Sequence, residues 1–156
     1  MTAAVPFVLA KDASAATIHS TTLAGWDFSS NKSGGHQELV ANGLRVWTTG
    51  GSSDGSNRKA AGYRAVAPFA LAQASDADIQ FASFSGPRPS LQLGVDIDGD
   101  GDWDGYLVYE PWAYGEGNFW TSKNFGLPAG QGYEDFGTIA DFAGANPNAK
   151  VIAIGY

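Results

Sequence analysis

Five aspartates at alternate positions of one short segment are the residues of this chain best suited to chemistry. The segment reads GVDIDGDGDWDGYLVYE over residues 94–110, and the aspartates are Asp96, Asp98, Asp100, Asp102 and Asp104. Counted from Asp96 they hold positions 1, 3, 5, 7 and 9 of a D-x-D-x-D-G loop, with Gly101 at position 6. Alternate carboxylates converge when such a loop coils tightly, and Ca²⁺ binds several oxygen ligands at once. The spacing therefore predicts a calcium site at 96–104.

This loop is not that of an EF-hand. Position 12 is Leu107, where an EF-hand has a bidentate Glu, and the flanking segments have the pattern of strands. The loop is similar to the D-x-D-x-D-G-x-x-D calcium loops between β-strands in integrin-type and thrombospondin-type sites, which implies a structural metal. A solvated acidic hairpin is the alternative, because Asp and Gly also form turns. The metal is favoured because five bare carboxylates repel one another, and a divalent ion removes the repulsion.

An aromatic cluster overlaps the end of the acidic loop. Eight of the twenty aromatic residues lie within 103–125, interleaved with carboxylates and amides. Aromatic rings pack on pyranose faces, so the cluster is a candidate glycan or partner contact, carried by Tyr109, Trp112, Tyr114 and Trp120. The same rings also suit the packing of a glycine- and proline-rich loop, and this structural role is favoured.

Candidate catalytic motifs lack the context that they require. Residues 51–55 read G-x-S-x-G, but they lie in a Ser/Gly-rich loop and not at the strand-to-helix turn of a nucleophile elbow. The two histidines, His19 and His36, are far apart in the sequence and make a poor zinc site. Glu110, Glu116, Glu134 and Asp135 could supply a glycosidase pair, with Glu110 and Glu116 as the candidate, but nothing in the sequence fixes their separation. The chain is therefore predicted not to be an enzyme.

The elements that position these residues are predicted to be short strands. The 156 residues include 21 glycines and 7 prolines, a composition that favours turns. Leu91, Leu93 and Val95 alternate with small or polar residues, the clearest strand pattern in the chain. One helix is predicted near 138–145, capped by Thr138 with Asp141 three residues later. Strands are predicted at Val5–Leu9, Thr17–Leu23, Glu38–Ala41, Leu44–Thr48, Tyr63–Val66, Ile79–Phe84, Ser90–Ile97, Gly105–Glu110 and Val151–Tyr156.

The predicted fold is an all-β domain, an antiparallel β-sandwich of jelly-roll type with one short helix. Its length suits a single domain over 26–156 that contains the calcium loop, preceded by an N-terminal arm or edge strand over 1–25. Charge and composition exclude several classes of partner. The net charge is −7 and the nine basic residues form no stripe, which argues against a nucleic-acid partner. No apolar stretch reaches the roughly 20 residues of a membrane span.

Two further features bear on the compartment. The chain has no cysteine, so neither a disulfide framework nor a thiolate zinc site is expected. The apolar run at 3–10 contains a proline and has no Lys or Arg before it, unlike a secretory signal. Synthesis in the cytoplasm is therefore expected.

Several segments together resemble a β-sandwich domain of actinobacterial surface proteins and of virion proteins of their phages. They are WDFSSNKSGGHQELVANGLRVWT, AAGYRAV, GPRPSLQLGVDIDGDGDWDGYLVYEPWAYGEGNFW and GTIADFAGANPNAKVIAIGY, which cover most of the chain from Trp26 onward. The resemblance implies a non-enzymatic binding or structural module with a calcium loop at the five aspartates, and no catalytic residue. Family members usually continue beyond the position of Tyr156, a departure that predicts an unpaired edge at the last strand.

The resulting functional expectation is a structural virion protein, either a capsid decoration protein or a minor tail protein, with a structural Ca²⁺. Its partners would be other capsid or tail proteins, or copies of itself. The alternative is a carbohydrate-binding or adhesion module of a bacterial surface protein. That alternative predicts an extracellular or cell-surface location and a host-surface glycan as ligand.

Overall fold

The computed structural model describes residues 7–8, 22–40, 43–49, 59–79 and 88–156. Within these ranges the chain forms short strands, two short α-helices and a 3-10 helix at Leu71–Ala74. The helices are α1 (Pro111–Tyr114) and α2 (Ile139–Ala145). The strands are β1 (Phe7–Val8), β2 (Trp26–Asp27), β3 (Gly35–Val40), β4 (Gly43–Thr48), β5 (Tyr63–Ala70), β6 (Asp78–Ile79), β7 (Leu91–Asp96), β8 (Gly105–Tyr109), β9 (Asn118–Thr121), β10 (Asp135–Thr138) and β11 (Lys150–Gly155).

Seven of these strands form one antiparallel sheet in the order β10-β9-β8-β7-β11-β5-β2. The hairpin β3–β4 and the pair β1–β6 are separate two-stranded antiparallel sheets. The predicted all-β antiparallel class is confirmed. The predicted unpaired edge at the last strand is wrong, because β11 lies inside the sheet with β7 on one side and β5 on the other.

The strand predictions differ from the structure mainly in the second half of the chain. The segments that form β9 and β10 were not among the predicted strands, and each is only four residues long and lies among glycines and prolines. Both become strands because β8 offers its free edge to β9, and β9 in turn pairs with β10. Strand β2 was also missed. Most of the predicted strands Thr17–Leu23 and Ile79–Phe84, the serine motif at 51–55 and His19 lie outside the described residues, as does most of the 1–25 arm.

The core lies on one face of the seven-stranded sheet. Leu91, Leu93 and Val95 are at most 2% exposed, as their alternation predicted, and Leu107 of β8 pairs with Leu93. Helix α2 belongs to the same cluster through its buried residues, and it packs on the 3-10 helix. Leu44 of the β3–β4 hairpin also joins this cluster, so the small sheet and the large one share a core.

Helix α2 begins as the sequence predicted. The Thr138 side chain accepts a hydrogen bond from the backbone N–H of Asp141 (3.2 Å), and the Asp141 carboxylate accepts one from the backbone N–H of Thr138 (2.8 Å). This reciprocal capping box satisfies donors that the first turn of a helix leaves unpaired. No helix in the described ranges has both the length and the apolarity to cross a membrane.

A buried carboxylate holds the loop before β10 against the sheet. Asp135 is 1% exposed, and its Oδ2 accepts hydrogen bonds from the backbone N–H groups of Phe125 (2.6 Å) and Leu127 (2.9 Å). Charge-assisted hydrogen bonds of this kind are stronger than neutral ones. Asp135 therefore fixes the loop that precedes β10.

Candidate metal centre and aromatic face

The acidic loop is the connection between two neighbouring strands of the sheet. β7 ends at Asp96 and β8 begins at Gly105, and the backbone N–H of Asp104 closes the base of the loop on the carbonyl of Val95 (2.9 Å). Gly99 (φ +85°) and Gly101 (φ +100°) both adopt left-handed conformations. Glycine reaches these angles without steric cost, which is how the loop coils tightly enough to bring alternate side chains together.

Three of the five predicted metal residues converge. Asp96, Asp98 and Asp104 each offer one carboxylate oxygen, and these oxygens all lie within 4.8 Å of one another. Calcium–oxygen bonds are about 2.3–2.6 Å long, so two oxygens bound to one ion lie at most about 5 Å apart. The three carboxylates therefore fit a single hard cation, and they could hold one.

Backbone groups preset two of these three carboxylates. Asp96 is fully buried, and its two oxygens accept hydrogen bonds from the N–H groups of Gly99 (2.7 Å) and Gly101 (3.0 Å). Asp104 accepts one from the N–H of Ile97 (2.7 Å). Each carboxylate oxygen has two lone pairs, so these bonds orient the ligands and leave capacity for a cation. Neutral N–H donors do not cancel the repulsion among the charges, and a divalent ion would.

The other two aspartates lie outside the group of three. Asp100 and Asp102 are exposed, and the Asp100 carboxylate accepts a hydrogen bond from the backbone N–H of Asp102 (2.8 Å). Asp98 is also exposed and accepts one from the N–H of Asp100 (3.1 Å). The convergent group is a set of carboxylate oxygens that joins the end of β7 to the start of β8. That chemistry suits a structural cation of the hard type.

The opposite face of the sheet from the core carries a row of side chains that crosses all seven strands. Because paired residues of neighbouring strands point to the same side, the register defines this row. Tyr106 of β8 and Trp103 of the acidic loop extend it at the metal-loop end. We call this surface the aromatic face. Its row consists of Asp27, Tyr63, Gly155, Gln92, Val108, Trp120 and Phe136.

One half of the aromatic face is closed by its own chain. Trp120 stacks on Tyr133 with ring centroids 3.9 Å apart, and its indole N–H donates to the Glu110 carboxylate (3.0 Å). The hydroxyls of Tyr114 and Tyr133 are hydrogen-bonded at 2.8 Å, and Tyr114 also meets Phe136 edge-on. We call these four aromatic residues, Tyr114, Trp120, Tyr133 and Phe136, the closed half. Its rings and polar groups satisfy one another, which agrees with the loop-packing role.

Tyr109 was predicted as a contact residue, and this prediction is wrong. Tyr109 is 4% exposed because it pairs with Leu91 and Phe119 on the core side, and its ring stacks on that of Phe119 at 4.9 Å. Its hydroxyl donates to Glu116 (2.6 Å). Burial, with a further contribution from this bond, raises the pKa of Tyr109 to about 12. Glu116, like Glu110, thus receives a hydrogen bond from an aromatic side chain.

The other half of the aromatic face is open and begins at the metal loop. Trp103 is 51% exposed, and its ring lies 4.7 Å from that of Tyr106. Tyr106 in turn stacks on Tyr63, with centroids 4.4 Å apart and planes 15° apart, and the Tyr63 hydroxyl donates to Gln92 (2.7 Å). We call Trp103, Tyr106 and Tyr63 the aromatic ladder. The predicted contact residue Trp112 lies outside it; it is 38% exposed, with the Arg88 guanidinium 5.7 Å from its ring.

The ladder was missed as a site because its members come from separate parts of the chain. Tyr63 lies in β5, two strands away from β7, and it reaches Tyr106 across the glycine of β11. A Cβ on Gly155 would overlap the Tyr63 ring. The sequence signal, small residues opposite an aromatic one, becomes visible only when the register is known.

No family model, curated protein or solved structure matches this chain. The function is therefore inferred from the acidic loop and the aromatic face themselves.

Proposed function

We propose that this chain is a non-enzymatic structural protein of a phage particle, a capsid decoration or minor tail protein, stapled by one structural calcium ion. The observation that carries the staple is the convergence of Asp96, Asp98 and Asp104 within 4.8 Å where β7 passes into β8. These are adjacent strands of the main sheet, so an ion here ties together two of its inner strands. A staple of this kind suits a protein that must stay folded outside the cell without disulfides.

The virion assignment is supported by the resemblance of the segments from Trp26 onward to actinobacterial surface and phage proteins. The acidic balance and the lack of a basic stripe agree with partners that are proteins, not nucleic acid. Glu110 and Glu116, the candidate glycosidase carboxylates, are each hydrogen-bonded to an aromatic residue, which supports packing roles for both. The proposed partners are capsid or tail proteins, or further copies of this chain.

Co-sedimentation in calcium buffer tests this proposal. Purified protein is mixed separately with undecorated phage capsids, with phage tails and with actinobacterial cell envelopes, and each mixture is pelleted. Pelleting with capsids or tails and not with envelopes is the expected result. Pelleting with envelopes alone would overturn the virion assignment and leave a cell-surface module in its place.

A second candidate function, a glycan-binding module, is favoured by one specific observation. Trp103 is half exposed, although an indole ring has much to gain from burial. The ring is also backed by two further rings, which hold it in place. A rigid and exposed aromatic surface is what sugar binding requires, and it is compatible with a role on a particle.

A further inference from the structure

We infer that Trp103, backed by Tyr106 and Tyr63, is a metal-ordered platform for one face of a neutral pyranose. This inference rests on the calcium staple and on the glycan-binding candidate proposed above. It moves the ligand site from the cluster at 109–120 to the rim of the acidic loop. It also assigns the class of ligand.

Trp103 is the more accessible end of the aromatic face. The closed half stacks its rings on one another and hydrogen-bonds its indole and hydroxyl groups internally. The Trp103 ring lies 4.7 Å from that of Tyr106, and the residue is 51% exposed. A ligand can therefore reach its ring without displacing the chain's own packing.

The ring and the main chain of Trp103 are held in place by their neighbours. Two rings of the ladder lie below Trp103, and the second of them, Tyr63, lies over the backbone of Gly155. The main chain of Trp103 is held by its neighbour Asp104, whose carboxylate and N–H bind backbone groups of Ile97 and Val95. A preordered ring loses little conformational entropy when a ligand stacks on it.

A hydrogen-bond acceptor lies at one end of the aromatic ladder. Asp27 lies beside Tyr63 in the cross-strand row, and its carboxylate oxygens retain acceptor capacity after their bonds to Ser29. A carboxylate thus borders the Tyr63 end of the ladder, and it can accept hydrogen bonds from sugar hydroxyls.

The charges around Trp103 restrict the charge of the ligand that can bind there. Asp102 and Asp104 flank Trp103, and the chain carries a net charge of −7. Sialylated, sulfated or phosphorylated glycans would be repelled. A quaternary ammonium group favours a cage of rings on several sides, whereas the Trp103 ring has Tyr106 on one side, tilted by 51°, and Tyr63 lies behind Tyr106. The half-exposed indole of Trp103 itself presents one flat ring surface, and a neutral pyranose face matches it.

Sugar binding at Trp103 is expected to depend on the metal. Trp103 stands between Asp102 and Asp104, and Asp104 belongs to the convergent group of carboxylates. Without a cation these carboxylates repel one another, and Trp103 is the neighbour of one of them in the chain. Removal of calcium is therefore expected to weaken sugar binding as well as stability.

Isothermal titration with neutral oligosaccharides tests the inference. The probes are maltoheptaose, cellohexaose and mannohexaose, each in calcium and in chelator, with choline chloride and sialyllactose as charged comparisons. At least one neutral probe is expected to bind in calcium. Trp103→Ala should weaken that binding about tenfold, the scale of one aromatic contact, whereas Trp112→Ala should stay within about twofold of the wild type. Trp103→Phe, which keeps a ring, should retain most of the affinity.

The outcomes are separable from the fate of the proposed function. No binding of any neutral probe, equal binding by Trp103→Ala and wild type, or binding of choline alone would overturn the inference. Each variant is also melted with and without calcium and pelleted with capsids. A protein that keeps its calcium shift and its capsid binding but ignores sugars would refute the platform alone. Loss of the calcium shift in the wild type would refute the staple itself.

Discussion

Removal of calcium should lower the melting temperature of this protein by about 8 °C. An ion that binds only the folded state stabilises it by RT ln(1 + [Ca²⁺]/Kd), which is about 2.7 kcal/mol at a hundredfold excess over Kd. For 156 residues the entropy of unfolding is about 0.3 kcal/mol per degree, from about 2.1 cal/mol/K per residue. The quotient of the two gives the expected shift, to be measured by circular dichroism melts in calcium and in chelator.

Two single substitutions show whether the converging carboxylates are the ligands. Asp98 and Asp102 are both exposed loop aspartates, and replacing either by Asn removes one negative charge. Only Asp98 belongs to the group of three. The amide oxygen of Asp98→Asn can still accept the N–H of Asp100, so its fold without metal should be unchanged.

The expected magnitudes differ clearly between these variants. A tenfold loss of affinity in Asp98→Asn, at the same calcium concentration, reduces the stabilisation to about 1.4 kcal/mol and the shift to about 4 °C. Asp102→Asn should keep a shift within about 2 °C of the wild type. Equal melting temperatures of the wild type in calcium and chelator would refute the site. Equal losses in both variants would refute the three-carboxylate geometry while leaving a diffuse acidic attraction.

Three further predictions concern the scaffold. Asp135→Ala leaves two buried N–H groups without an acceptor and should cost about 2–4 kcal/mol in urea unfolding, against about 1 kcal/mol for Asp135→Asn; similar values for both would contradict the role of the acceptor. Thr138→Ala should cost about 1 kcal/mol, and in an NMR titration it should raise the pKa of Asp141 towards 3.8, because the Thr138 hydrogen bonds lower that pKa. The stabilisation by Asp141 is present above pH 3.8 and lost as the pH falls through its folded pKa, so an unchanged pKa in Thr138→Ala would reject the capping box. Two tyrosines should make stability depend on pH in the alkaline range. Burial raises the pKa of Tyr109 to about 12, and the hydrogen bond with Tyr114 raises that of Tyr133 to about 12, both from an ordinary value of 10.0. The folded state holds these protons more tightly, so stability should be intact below pH 10 and fall between about pH 10 and 12. Thermal melts and phenolate absorbance measure this fall. A phenolate titration that is complete near pH 10 would contradict the prediction.

Features that depend on neighbours in the sequence could be predicted from the sequence. Gly101 was expected to permit the turn of the acidic loop, and it adopts a left-handed φ there. Thr138 and Asp141 were expected to cap the helix, and they do so reciprocally. The alternation of Leu91, Leu93 and Val95 identified the buried side of β7. In each case the determining contacts lie within about five residues along the chain.

Features that depend on strand order could not be predicted in the same way. The β8 sequence GYLVY is apolar at almost every position, so alternation alone does not say which of its sides faces the core. Tyr109 was a candidate contact residue because aromatic rings pack on pyranose faces. The structure buries it because its cross-strand neighbours, Leu91 and Phe119, are both core residues. Burial was decided by partners far away in the sequence.

The acidic loop and the aromatic ladder are adjacent because Trp103 lies in the loop and Tyr106 lies in the strand that follows it. The side chains at 96, 98 and 104 turn inward to one another, while the intervening position 103 points its indole away from them and onto the open half of the aromatic face. When a loop turns alternate carboxylates inward, the side chains between them point outward. In this chain one of these side chains belongs to a tryptophan, and it lands on Tyr106 only because β8 starts two residues later. Moving Trp103 one position later would put it at 104, the place of a converging carboxylate, so the position of the platform follows from the position of the staple.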